Sequence, residues 1–235
     1  MTQAPVIRLS GVTIKKGSFT LLADAEFGPG IHLLTGRVGS GKTTLGEILS
    51  GIAEPDDGNV QWNGGRRVML LQDASYHIST MTVKEEAGSW HGDVERTIQT
   101  AGLAGKEHKD LLSLSRGEVR RLELAAILTG QFDLIVLDEP CAGLDEEARA
   151  WVRQLINSHA HEIIIIISHD LMSLPHIDQL WEMDNGVLNL LGTVPGCLRS
   201  WKRAPSLIRY LAAMGIYPDG LSREELEEAV CRIPG

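Results

Sequence analysis

The chain has 235 residues, 43% of them hydrophobic, enough to bury the core of one α/β domain with a small appendage. A formal net charge of −9 without a basic stripe excludes nucleic acid as a main partner, because phosphate neutralisation needs clustered Lys and Arg. No run of about 18 apolar residues occurs and residues 1–5 lack a signal-peptide pattern, so the expectation is a cytosolic chain without direct membrane insertion, any membrane role coming through a partner.

In chain order, Phe19, Leu21, Ala23, Ala25 and Phe27 recur at every second position, which predicts a half-buried antiparallel strand. The apolar run 31–35 leads into Gly36-Arg37-Val38-Gly39-Ser40-Gly41-Lys42-Thr43, and 43–50 reads as a helix closed by Gly51. Pro55-Asp56-Asp57-Gly58 predicts a turn, and 68–71 a buried strand ending at Gln72. Between Gln72 and about Gly130 the pattern is helical, with capping boxes at Thr82–Glu85 and Ser115–Glu118. The runs 134–137 and 163–167 are β-branched and apolar, as a parallel sheet buried on both faces requires. Asn185-Gly186 marks a hairpin, and after Pro205 two short helices follow, the second opened by a capping box at Ser222. Leu207, Ile208, Leu211 and Met214 form one apolar helix face, expected to serve subunit contact. Cys141, Cys197 and Cys231 lie far apart with no Cys-x-x-Cys spacing, so neither a disulfide framework nor a zinc site is indicated.

The first glycine-rich stretch matches Gly-x-x-x-x-Gly-Lys-Thr between a predicted strand and a predicted helix, the context of a phosphate loop. Its glycines let backbone N–H groups converge on phosphate oxygens at a helix N-terminus. Lys42 is expected to reach the β- and γ-phosphates, and the Thr43 hydroxyl to hold Mg²⁺. A second pair, Asp138-Glu139, ends a buried strand, where ligands bind in open α/β sheets. Paired carboxylates there allow Asp138 to serve the metal and Glu139 to take a proton from the attacking water. No Asn-Lys-x-Asp base-reading motif is present, which disfavours a GTPase.

These motifs, with Leu114-Ser115-Arg116-Gly117-Glu118 between them and His169 after five isoleucines, together resemble the ATP-binding cassette (ABC) family of transporter ATPases. The resemblance implies an α/β P-loop NTPase fold with a mixed sheet core, an antiparallel β part and a helical subdomain at about 73–130. The cassette would occupy 1–204 and a short helical extension 205–235. It implies ATP on Gly36, Val38, Gly39, Ser40, Gly41, Lys42, Thr43 and Thr44, and Mg²⁺ held by Thr43, Gln72 and Asp138. Glu139, His169 and Gln72 would carry the catalytic roles. Ser115 and the Gly117 amide would touch the γ-phosphate bound to a second subunit, in a homodimer or a heterodimer with a related ATPase, and Asp145, in a stretch Ala142–Asp145 that resembles the family's D-loop, would join the nucleotide-binding residues. A transmembrane transporter subunit is the further implied partner, which places the chain peripherally on the inner face of the cell membrane. Rival soluble ABC proteins of chromosome maintenance carry a long coiled-coil insertion, which this sequence lacks.

Two departures stand out. Arg116 replaces the first glycine of the family's Leu-Ser-Gly-Gly signature, and Lys16 falls where the family offers an aromatic to adenine, so stacking there is expected to be lost. Met81-Thr82-Val83-Lys84-Glu85-Glu86 and the tail resemble ATPases of energy-coupling factor (ECF) importers, which take up vitamins and cobalt or nickel.

Overall fold

A computed structural model describes residues 4–71, 80–90, 92–159 and 162–233. Along the chain run β1 (Ile7–Lys16), β2 (Phe19–Phe27), β3 (Gly30–Gly36), α1 (Lys42–Ser50), β4 (Asp57–Trp62) and β5 (Arg67–Leu70). There follow α2 (Val83–Ser89), α3 (Val94–Thr100), α4 (Arg116–Thr129), β6 (Leu134–Asp138), α5 (Glu146–Asn157) and β7 (Ile163–Ile167). The chain closes with β8 (Gln179–Asp184), β9 (Val187–Thr193), α6 (Ser206–Ala213) and α7 (Arg223–Cys231). Among the described residues no helix is long and apolar enough to cross a membrane.

One nine-stranded sheet takes the order β4-β1-β2-β9-β8-β3-β7-β6-β5. The β1/β2 and β1/β4 pairs are antiparallel, whereas β3 is parallel to β7 and β8, and β6 parallel to β5 and β7. All five isoleucines of β7 are buried. Ile163, Ile165 and Ile167 pack with Leu45, Ile48 and Leu49 of α1, while Ile164 and Ile166 pack with Leu124, Val152 and Ile156 on the opposite face. Period-two alternation thus serves two cores, as helices on both faces demand. A third, smaller core joins Val83, Ala87, Ile98 and Leu111 to Leu122 and Ala125 of α4.

Three details differ from the sequence expectations. Ile7, Leu9, Val12 and Ile14 face inward on β1, but the register shifts between Leu9 and Val12, so no strict alternation announced the strand. The predicted turn at 55–58 overlaps the start of β4, because Asp56 is drawn to β1 by its N–H on Thr13 O and by its carboxylate, which accepts from Lys15 N. The apolar tail face is covered by the chain itself. Ile208 and Leu211 are 1% and 0% exposed, and Ile208, Leu221 and Leu226 join the core that holds Ile177, Trp201 and Val152. Met214, at 47% exposure, stays outside. Arg223 fastens α7 to Glu146 at the start of α5, and the half-buried Glu225 caps the same helix. Most of that face is therefore covered by the chain's own core.

Candidate nucleotide site

Strands β3, β7 and β6 are neighbours, so the segments following them open at one edge of the sheet. After β3, Gly36 turns at φ 145°, and a Cβ there would stand 2.3 Å from Met183 O. Gly41 caps α1 at φ 104°, where a Cβ would meet Phe19 Cζ at 2.8 Å. Both positions admit only glycine, and the loop they shape points the first amides of α1 toward one cleft. Lys42 Nζ donates to Gly36 O at 2.9 Å and Arg37 O at 3.0 Å, which holds the ammonium across the loop. Burial draws the Lys42 ammonium below the usual lysine range, with Asp138 and Glu139 opposing. Ser40 is buried, and its Oγ has no hydrogen-bond partner among the described residues. A cleft of about 210 Å³ is lined by Phe19, Gly39, Gly41, Lys42, Thr43 and Thr44. Val38 is fully exposed beside it.

At the end of β6, Thr43 Oγ1 donates to Asp138 Oδ2 at 2.6 Å. Burial pushes the Asp138 carboxyl up, the Thr43 hydrogen bond lowers it, and Glu139 raises it again. Glu139 sits at φ 46°, a left-handed conformation uncommon for a residue with a side chain. Its amide donates to Ile167 O at 2.9 Å, so the turn is pinned to the neighbouring strand. Ser168 Oγ donates to Glu139 Oε2 at 3.1 Å, and His169 Nδ1 lies 2.5 Å from Glu139 Oε1. The structure brings Lys42, Thr43, Asp138, Glu139 and His169 together; Gln72 lies outside the described residues.

Ser115, Gly117 and Asp145 do not line this cleft. Ser115 caps α4, its Oγ accepting from Glu118 N at 3.2 Å and its own N–H donating to Glu118 Oε2 at 2.8 Å. Lys106, then the Ser115 amide and hydroxyl, hold Glu118 down at about 2. Ser115 is exposed and Gly117 half-buried, and neither lines the phosphate-loop cleft. Asp145 caps α5, accepting from Ala148 N at 2.9 Å. Arg116, the departure from the signature, is exposed.

Sequence reasoning missed Phe19 as a cleft residue, although the alternation on β2 already put it first in the inward-facing set. Lys16 is engaged elsewhere, its Nζ 3.7 Å from Glu47 Oε2 on α1. Phe19 is thus the aromatic surface beside the loop.

A family model described as ABC transporter matches residues 27–142. Energy-coupling factor transporter ATP-binding protein EcfA1 of Thermotoga maritima is 29% identical over 212 residues, 80% of this chain and 82% of the relative. Thiamine import ATP-binding protein ThiQ of a Ruegeria species is 31% identical over 70% of this chain and 82% of its own. An ATP-bound bacterial Atm1-family ABC exporter shares the fold with a TM-score of 0.73 at 18% identity, across 86% of this chain and 41% of the exporter chain. Likeness that extends over most of a relative's length, on a shared fold, establishes descent: the chain belongs to the ABC transporter family and is one of its ATPases.

Proposed function

We propose that this chain binds and hydrolyses ATP as one of two subunits that close head to tail, and so powers an ECF-type importer through a transmembrane partner. The observation that carries the reading is the meeting of Lys42, Thr43, Asp138, Glu139 and His169 at one sheet edge, while Ser115 and Gly117 do not line the phosphate-loop cleft. A second subunit supplies what the edge lacks, its Ser115 and Gly117 covering the γ-phosphate, with Asp145 flanking the contact.

Thr43 and Asp138 suit Mg²⁺, since a hydroxyl and a carboxylate oxygen 2.6 Å apart are the hard oxygen donors that ion takes. An ion held by these two residues would supply charge neutralisation on the phosphates. The orphaned Ser40 hydroxyl and the α1 amides donate to the phosphate oxygens, and Lys42 exchanges its loop carbonyls for the β- and γ-phosphates. Glu139 takes the proton of the attacking water, oriented by Ser168, while His169 contacts the γ-phosphate. Gln72 senses the ion and joins the site to the transmembrane subunit. Phe19 offers its ring to adenine. The ECF branch is supported by the similarity to EcfA1 and by residues 81–86, and on that reading the chain works peripherally at the inner face of the membrane.

Light scattering of the Glu139→Gln chain with and without MgATP tests the closure. Where the second subunit is another copy of this chain, mass should double only with nucleotide, and Ser115→Arg should keep ATP binding but stay monomeric. Unchanged assembly of the Ser115→Arg chain would overturn the head-to-tail reading. Affinity capture from native membranes with mass spectrometry then identifies the transmembrane subunit and shows whether the second ATPase is this chain or a relative.

A further inference from the structure

Arg120 reaches from α4 into the end of β6. Only 5% of it is exposed. Its Nη1 donates to Leu71 O at 2.9 Å, its Nη2 to Asp138 O and Glu139 O at 3.3 Å each, and its Nε to Pro140 O at 3.4 Å. Glu123, one turn along α4, stands 3.5 Å from Nη1. One side chain therefore spans three consecutive carbonyls around Glu139 and the carbonyl that immediately precedes Gln72. A buried guanidinium is a costly filler of space, because desolvation rivals the attraction it gains. Its planar fork, however, fans several donors at fixed angles, which a lysine ammonium does not reproduce.

The backbone it grips is the strained one. Glu139 holds φ 46°, and such a conformation persists only where its surroundings over-determine it. The Glu139 amide is fixed by Ile167 O; the carbonyls at and on either side of Glu139 are fixed by Arg120. The direction of the Glu139 side chain follows from that turn.

We propose that Arg120 is a positioning residue for hydrolysis: its guanidinium sets the left-handed turn that aims the Glu139 carboxylate, and it ties that turn to the helix capped by Ser115 and to the peptide entering Gln72. The inference rests on Glu139 being the general base. A displacement of α4 then re-aims the carboxylate directly, without passing through the bound nucleotide.

Arg120→Lys keeps a cation opposite Glu123 but cannot span the carbonyls, and Arg120→Met with Glu123→Gln removes the guanidinium without stranding a buried carboxylate. ATP affinity and turnover at saturating MgATP are measured for the full chain and both variants, alone and combined with Glu139→Gln. The expected result is a drop of about tenfold or more in turnover, a share of the 10²–10⁴-fold a general base contributes, with ATP affinity within about twofold. In the Glu139→Gln background the same substitutions should leave the residual rate unchanged. Wild-type turnover in both variants overturns the proposal. Loss of ATP binding in step with turnover, as misfolding would give, also overturns it, because Arg120 is then a packing element of the whole fold. If Glu139→Gln alone retains turnover, it is the assignment of the base that fails.

Discussion

Glu139→Gln is the substitution that bears most directly on the chemistry. The carboxamide has nearly the volume of the carboxylate, and the turn at φ 46° is held by backbone contacts that the substitution leaves in place. Its oxygen can still accept from Ser168, now 3.1 Å from Oε2, and its amide can donate to an unprotonated Nδ1 of His169, now 2.5 Å from Oε1. Lys42 and Thr43 are untouched, so ATP affinity should change by less than about threefold, roughly 0.7 kcal/mol. What disappears is the proton acceptor. General-base catalysis contributes about 10²–10⁴-fold, which corresponds to a barrier raised by about 3–5 kcal/mol. Single-turnover hydrolysis at saturating MgATP, paired with equilibrium binding, reads both quantities on one preparation. Turnover within about threefold of the wild type, with binding retained, would refute Glu139 as the base.

Phe19→Leu should weaken ATP binding about fivefold or more, since base stacking on an aromatic ring is worth roughly 1–3 kcal/mol, and should leave inorganic tripolyphosphate binding unchanged. Equal losses for both ligands in calorimetric titrations would assign Phe19 to loop packing alone. Leu211→Ala should cost about 2–5 kcal/mol in denaturant unfolding, because a fully buried leucine leaves a cavity; a loss under about 1 kcal/mol would mean that α6 sits loosely on the body. His32 is buried, its Nε2 2.9 Å from Gly28 O and its Nδ1 3.3 Å from Trp181 Nε1, an arrangement that needs the neutral ring. Burial lowers its pKa below 6.5, so the stability it contributes is present above that pH and falls away as pH drops through the folded-state value. The difference in unfolding free energy between wild type and His32→Gln should therefore narrow below pH 6.5, and a constant difference from pH 8 to pH 5 would contradict it.

The elements that carry chemistry were legible because their residues are constrained twice, by the sheet and by the site. The isoleucines of β7 announce a strand buried on both faces, and the glycines of the phosphate loop have conformations that other residues refuse. β1 was hidden by its register shift, and β4, an edge strand with only Val60 and Trp62 half-buried, offers little apolar pattern to read. The apolar face of α6 was visible in the spacing, but spacing names no partner, and the chain's own core proved to cover it. Arg120 escaped notice for a related reason: an arginine near a helix start reads as a solvated cation until the carbonyls that surround it come from segments distant in sequence.

The Thr43–Asp138 hydrogen bond joins residues 95 positions apart. Loop-closure entropy must be overcome before such a contact forms, so the site is absent from any partly assembled chain in which β3, β7 and β6 are not yet paired. Nucleotide binding then reports completion of the central sheet. A ligand that binds only the folded chain adds RT ln(1 + [L]/Kd) to its stability, so nucleotide bound at this site would stabilise the chain only once the central sheet is assembled.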